Sequence, residues 1–149
     1  MTKYHSNGWF ALDGALIFCP NQSLLPITPE QLAKASESRW PGRVSYELFE
    51  NTSAGVSIDV RAKGEYSFVL NLYEGCQLIG MDSTPELTVR NAAWLRSLMP
   101  EDAPRIVVSD KGFSLHAELP FGVTPEQIAA TFIEHFEGWN ADDPDFSTW

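Results

Sequence analysis

The tripeptide Thr-Pro-Glu stands at 28–30, at 84–86 and at 124–126, each time ahead of a helix-like run. Threonine is a natural N-cap, because its side-chain oxygen accepts from a first-turn N–H that has no intrahelical partner. Proline at N1 lacks an N–H that would go unused there, and glutamate complements the positive helix end. The first and third copies add Gln31 and Gln127 at N3, the polar half of a capping box. They also set Ile27 against Leu32 and Val123 against Ile128 across N′ and N4. The middle copy carries Leu87 at N3 and Ser83 at N′ and lacks both devices. Three marked helix starts constrain how a chain of 149 residues can be divided.

The first helix is predicted from Pro29 to Arg39, ending before Trp40-Pro41-Gly42, where proline moves its predecessor out of helical geometry. The second runs from Pro85 to Leu98, with Leu87, Trp94, Leu95 and Leu98 on one broad stripe. The third runs from Pro125 to Trp139, with Ile128, Phe132, Phe136 and Trp139 at helical spacing. Between the helices the period falls to two. Val44, Tyr46 and Leu48 alternate with polar residues, as do Val56, Ile58 and Val60; Tyr66, Phe68, Leu70 and Leu72 alternate again. Three sequential antiparallel strands with one apolar face follow, and Gln77 to Met81 adds a fourth short one. Arg105 to Ser109 and Phe113 to Leu119 form two more about the turn Asp110-Lys111-Gly112. At the start, residues 9–12 and 15–18 flank Asp13-Gly14, a two-residue hairpin signal. The chain is therefore read as one α+β domain: an N-terminal hairpin and loop over 1–27, a core over 28–139, and an acidic mobile tail over 140–149.

Hydrophobic residues make up 44% of the chain and aromatics 12%, which predicts a sizeable core, with roughly two-thirds of the unfolded surface removed from water. The net charge of −10 excludes the basic face that a phosphate-backbone binder needs, so no nucleic acid is expected; it would steer a basic partner inward. No stretch approaches the ~20 apolar residues of a membrane span, and the N-terminus does not read as a signal peptide. Cys19 and Cys76 have no metal-ligand spacing and read as two free thiols, so a cytoplasmic location is expected.

Reaction chemistry is sparse. Of the three histidines, His5 falls in a terminus expected to fray, His116 on the polar side of a strand, and His135 on the last helix. His116 and Glu118, two apart on a strand, share a face and can form an acid–base pair; the commoner outcome is a solvated face. They are the one candidate catalytic centre, and no metal or cofactor motif accompanies them. An enzyme there requires both side chains to line a concave pocket with a third polar group nearby. The five tryptophans (Trp9, Trp40, Trp94, Trp139, Trp149) are more informative, since tryptophan is favoured at contact hot spots. Leu32, Trp40, Trp94, Trp139 and Trp149 are the candidate partner-binding residues.

The order of elements, together with His116-Ala-Glu-Leu-Pro-Phe-Gly-Val-Thr-Pro-Glu-Gln-Ile128 leading on to Phe136, resembles the type III secretion chaperone fold and the related YbjN family over about residues 28–139. The resemblance implies a curved antiparallel sheet against helices and a non-catalytic, often dimeric protein that holds another protein. By analogy it places the dimer contact at residues 85–98 and the partner contact at residues 29–39 and the nearby sheet. The leading expectation is thus a non-enzymatic, chaperone-like module that binds a partner stoichiometrically. An immunity protein covering a basic toxin is the alternative; an enzyme centred on His116 and Glu118 and an assembly scaffold are the others.

Overall fold

A computed structural model describes residues 3–5, 8–12, 14–48, 54–61, 67–73, 75 and 77–135. In chain order these form β1 (Lys3–His5), a 3-10 turn (Gly8–Ala11), β2 (Ala15–Phe18), α1 (Pro29–Arg39), β3 (Val44–Leu48), β4 (Ala54–Val60), β5 (Phe68–Tyr73) and β6 (Leu78–Asp82). They continue with α2 (Pro85–Ser97), β7 (Val107–Ser109), β8 (Leu115–Glu118), α3 (Pro125–Ala130) and β9 (Ile133–His135). The fold is mixed α+β. Among the described residues one open sheet runs β1-β9-β8-β7-β2-β6-β5-β4-β3, every neighbour antiparallel.

All three Thr-Pro-Glu copies start helices. Thr28 Oγ1 and Thr124 Oγ1 each accept from the N3 backbone N–H at 3.1 Å, and Gln31 and Gln127 reach back to the cap N–H at 2.9 and 3.0 Å. The lone Thr84 cap is longer, at 3.4 Å from Leu87 N. Val44 to Val60, and on to Phe68 and Leu72, the alternating residues pair in register as three sequential antiparallel strands. Val56, Ile58, Val60, Phe68, Leu70 and Leu72 join one core with Ile17, Ile79, Met81, Val108, Leu115 and Ala117 from the rest of the sheet and Leu32, Leu87, Ala92, Leu95 and Ile128 from the helices, whereas Tyr46 and Leu48 of the outermost strand stay exposed. Full burial of such side chains stabilises by about 1.5–3 kcal/mol each. No helix among the described residues is long and apolar enough to cross a membrane.

Two ends of the chain depart from the sequence expectation. No N-terminal hairpin forms: Gly8–Ala11 is a 3-10 turn closed by Leu12 N–H donating to Trp9 O, and Leu12 enters the core. β2 instead lies mid-sheet between β6 and β7. Ala15-Leu-Ile-Phe18 is apolar on both faces, which suits a strand covered on both sides better than the arm of an edge hairpin. His5, expected to fray, belongs to β1 and pairs with Ile133.

The last helix stops at Ala130 and does not continue to Trp139. Thr131 Oγ1 donates back to Gln127 O at 2.7 Å, and Ile133–His135 then becomes a strand between β8 and β1. Ile128 and Phe132 are both buried although Phe132 lies past the helix end, so the pattern located core residues while the open edge of β8 recruited those that follow. Phe136, Trp139, Trp149 and the tail expected to be mobile over 140–149 lie outside the described residues, as does Cys76.

Candidate functional site

Strand alternation sends Ile17, Val108, Leu115 and Ala117 toward the helices, and so Phe18, Val107, Ser109, His116, Glu118, Ile133 and His135 to the other face. His116, paired in register with Ser109 and Ile133, is 2% exposed and His135 is 1% exposed. The expected solvated face at His116 is therefore wrong. The ring centroids lie 4.7 Å apart with planes 17° from parallel, and His116 Nδ1 lies 2.6 Å from His135 Nε2. Only the strand conformation of 133–135, hidden behind a helix-like spacing, brings His135 here.

On its other side His116 Nε2 lies 3.2 Å from Glu118 Oε2. Arg105 grips the same carboxylate with both prongs, Nε to Oε1 at 2.6 Å and Nη2 to Oε2 at 2.5 Å. Burial alone would raise the Glu118 carboxyl, but the hydrogen bonds from Arg105 and His116, with their charges, outweigh it and hold it at about 2. An ionised carboxylate only accepts, so in the neutral ring His116 carries its proton on Nε2; Nδ1 then accepts from His135 Nε2–H. The result is a hydrogen-bonded chain of His135, His116 and Glu118, clamped by Arg105; it runs in that direction when His116 is neutral, and both of its ring nitrogens donate when it is charged.

Glu118 and Arg105 line a hollow of about 300 Å3 with Arg96, Glu101 and the exposed Phe121, and His116 stands behind it, not on its wall. Arg96 is buried and donates to four carbonyls: Leu119 O at 2.8 Å, Pro100 O at 3.0 Å, Met99 O at 3.3 Å and Glu101 O at 3.4 Å. It binds the end of α2 to β8. A second hollow, about 290 Å3, opens over β2 and β6 between Leu16, Phe18, Gln22, Leu78 and Phe113. Phe113 holds φ +56°, an unusual value for a bulky residue, and meets Phe18 edge to face at 5.9 Å. Cys19 also lines it, but burial pushes its thiol up, away from a reactive thiolate.

The candidate partner-binding residues fall in three places. Leu32 is wholly enclosed in the core and presents no surface. Trp139 and Trp149 lie outside the described residues. Trp40 and Trp94 are half-buried and meet edge to face at 4.9 Å, Trp40 resting also on Phe68 at 5.2 Å. Arg39, missed from sequence, completes this cluster. Its guanidinium carbon stands 5.3 Å from the Trp40 ring and 5.2 Å from the Trp94 ring, and burial, followed by the charge of Arg90, lowers its pKa. The sequence signal was available, since the last residue of α1 and the first tryptophan after it are neighbours.

Two kinds of chemistry are thus on the surface: a carboxylate–guanidinium pair backed by buried imidazoles, and an arginine between two indoles. Among the described residues no group of three or more His, Cys, Asp or Glu side chains is placed to hold a metal ion. Compared with protein-family models, curated proteins and solved structures, the chain matches none.

Proposed function

We propose that this protein acts by stoichiometric binding of another protein, using the surface around Arg39, Trp40 and Trp94. The observation that carries the reading is the cluster itself. Arginine and tryptophan are the side chains most often dominant at protein contacts, and here two indoles and a guanidinium are held together and half-exposed where α1, α2 and β5 converge. Cation–π contact fixes the arginine in advance, so less rotamer freedom is lost on docking. The net charge of −10 favours a basic partner and a fast encounter.

The secretion-chaperone-like version is the preferred one. A helix, four strands, a second helix, two strands and a third helix over Pro29–Ala130 support it, and the acidity equally suits an immunity protein for a basic toxin. A dimer through residues 85–98 has little to use: Leu87, Val89, Ala92 and Leu95 of α2 already face this chain's own core.

The test is co-purification from the native host at low and moderate salt, with wild type and with the Arg39→Ala/Trp94→Ala variant. One stoichiometric partner retained by wild type, weakened by salt and lost from the folded variant is the expected result. Recovery of wild type alone at both salt concentrations would sink the reading.

A second reading rests on the hydrogen-bonded chain His135, His116, Glu118 beside the 300 Å3 hollow. His116 is not on the wall of that hollow, so it would act on a small ligand bound against Arg105 only through the Glu118 carboxylate, the one member of the expected pair that lines it. Turnover by the purified protein, lost in His116→Gln while the fold persists, would establish this reading over the first.

A further inference from the structure

We infer that the outer edge of β3 pairs antiparallel with the same edge of a second copy of this chain, Ser45 facing Ser45 across a two-fold axis. β3 ends the sheet order and among the described residues pairs with β4 alone. Arg61 N–H donates to Arg43 O at 2.9 Å, so the odd-numbered residues turn their backbone groups toward β4. The N–H and C=O groups of Val44, Tyr46 and Leu48 consequently point outward. Natural edge strands are blunted by lysine, proline, bulges or brevity. β3 has no lysine, proline or bulge and one charged residue, Glu47: Val-Ser-Tyr-Glu-Leu keeps an unbroken register with β4, and Tyr46 and Leu48 are 44% and 41% exposed.

Charge selects both the occupant and the register. In a sheet continued through a two-fold axis, opposed residues point to the same face, so even-numbered residues oppose even and odd oppose odd. A pairing centred on Glu47 opposes two carboxylates, which is unfavourable. Centring on Tyr46 leaves Glu47 opposite Ser45. Centring on Ser45 sets Arg43 opposite Glu47 of the second copy, and by symmetry does so twice, while Val44 meets Tyr46 twice on the helix-bearing face. Opposite charges and aromatic–β-branched neighbours are the favourable cross-strand pairs. Arg43 and Glu47 are both exposed, and neither makes an ion pair among the described residues. The strand is complementary to itself in this one register, and the resulting isologous contact closes at two copies. This edge adjoins the Arg39, Trp40 and Trp94 cluster, since Arg43 N–H donates to Trp40 O at 3.1 Å, but the residues exchanged in its test are different ones.

Sedimentation equilibrium of the full chain at 0.15 M salt tests it, with Arg43→Glu, Glu47→Arg and the double reversal alongside wild type, and circular dichroism and thermal melts checking each fold. Wild type dimerises; each single reversal sets like charges opposite each other twice and weakens the dimer about tenfold or more; the double reversal returns it to near wild type. Tyr46→Pro is a further arm, since it removes an outward N–H while leaving the bonds to β4, and it abolishes the dimer. A wild type that stays monomeric to millimolar concentration, or a dimer indifferent to the single reversals, or one that the double reversal fails to restore, overturns the proposal.

Discussion

His116 and His135, nineteen positions apart in the chain, lie side by side with their ring planes 17° from parallel and a ring nitrogen of one 2.6 Å from a ring nitrogen of the other. Both are buried, so each imidazole nitrogen depends on protein partners. Replacing His135 by leucine keeps most of the volume but strips the donor from His116 Nδ1. A buried acceptor left without its partner costs about 1–3 kcal/mol. Urea denaturation of His135→Leu is expected to show a loss of that size with the slope unchanged; an unaltered midpoint would show that the contact contributes nothing.

Glu118 gives the fold an acid limit. Its carboxyl lies at about 2 in the folded chain, below the ordinary value of 4.5. A group depressed by folding stabilises fully above its unfolded value, and that contribution is lost as pH falls toward its folded value. Wild type should therefore lose stability between pH 4.5 and 2 more steeply than Glu118→Gln. Glu118 is 45% exposed, so solvent screening limits the difference to on the order of 1 kcal/mol. Melting temperatures across that range, compared between the two proteins, check the sign.

Arg96 should be among the most sensitive positions. Its guanidinium meets four main-chain carbonyls on two segments and, among the described residues, no carboxylate. Arg96→Met removes all four bonds, with Pro100 O keeping a second donor in Ala103 N–H, and is expected to cost about 3 kcal/mol; Arg96→Lys should recover little, because one ammonium cannot reproduce the fork. Equilibrium denaturation of both variants checks this.

The three caps should separate by their completeness. Thr28→Ala and Thr124→Ala each break a two-way capping box and should cost about 1 kcal/mol, toward 2 at most. Thr84→Ala removes a single long bond at 3.4 Å and should cost less. Denaturation midpoints of the three alanine variants rank them.

The helix starts were legible because each is fixed by four or five adjacent residues, and β3 to β5 because their alternation is local. What escaped the sequence depended on distant neighbours. Ile133-Glu-His135 carries a helical spacing from Ile128, and only the open side of β8 converts it into a strand. With that strand goes the site: His135 reaches His116 through the sheet, so reading it on a helix hid the imidazole pair. Ala15–Phe18 was recognised as a strand, yet its two partners come about sixty and about ninety positions later. Asp13-Gly14 supplied a local reason to fold it back on residues 9–12. The Trp40 and Trp94 contact likewise joins the ends of separate helices, and no pattern within either one announces it.

The placing of β2 makes the sheet a garment with one seam. Strands β3 to β6 form its one panel and β7 to β9, with β1 at the far border, the other, and the strip from Ala15 to Phe18 stitches them. That strip is made before either of its partner strands and must wait for both, Ser109 being the last of its partners to be made. Until then each panel has a raw inner border where β2 will lie, and the newborn chain carries two adhesive margins that the finished molecule conceals.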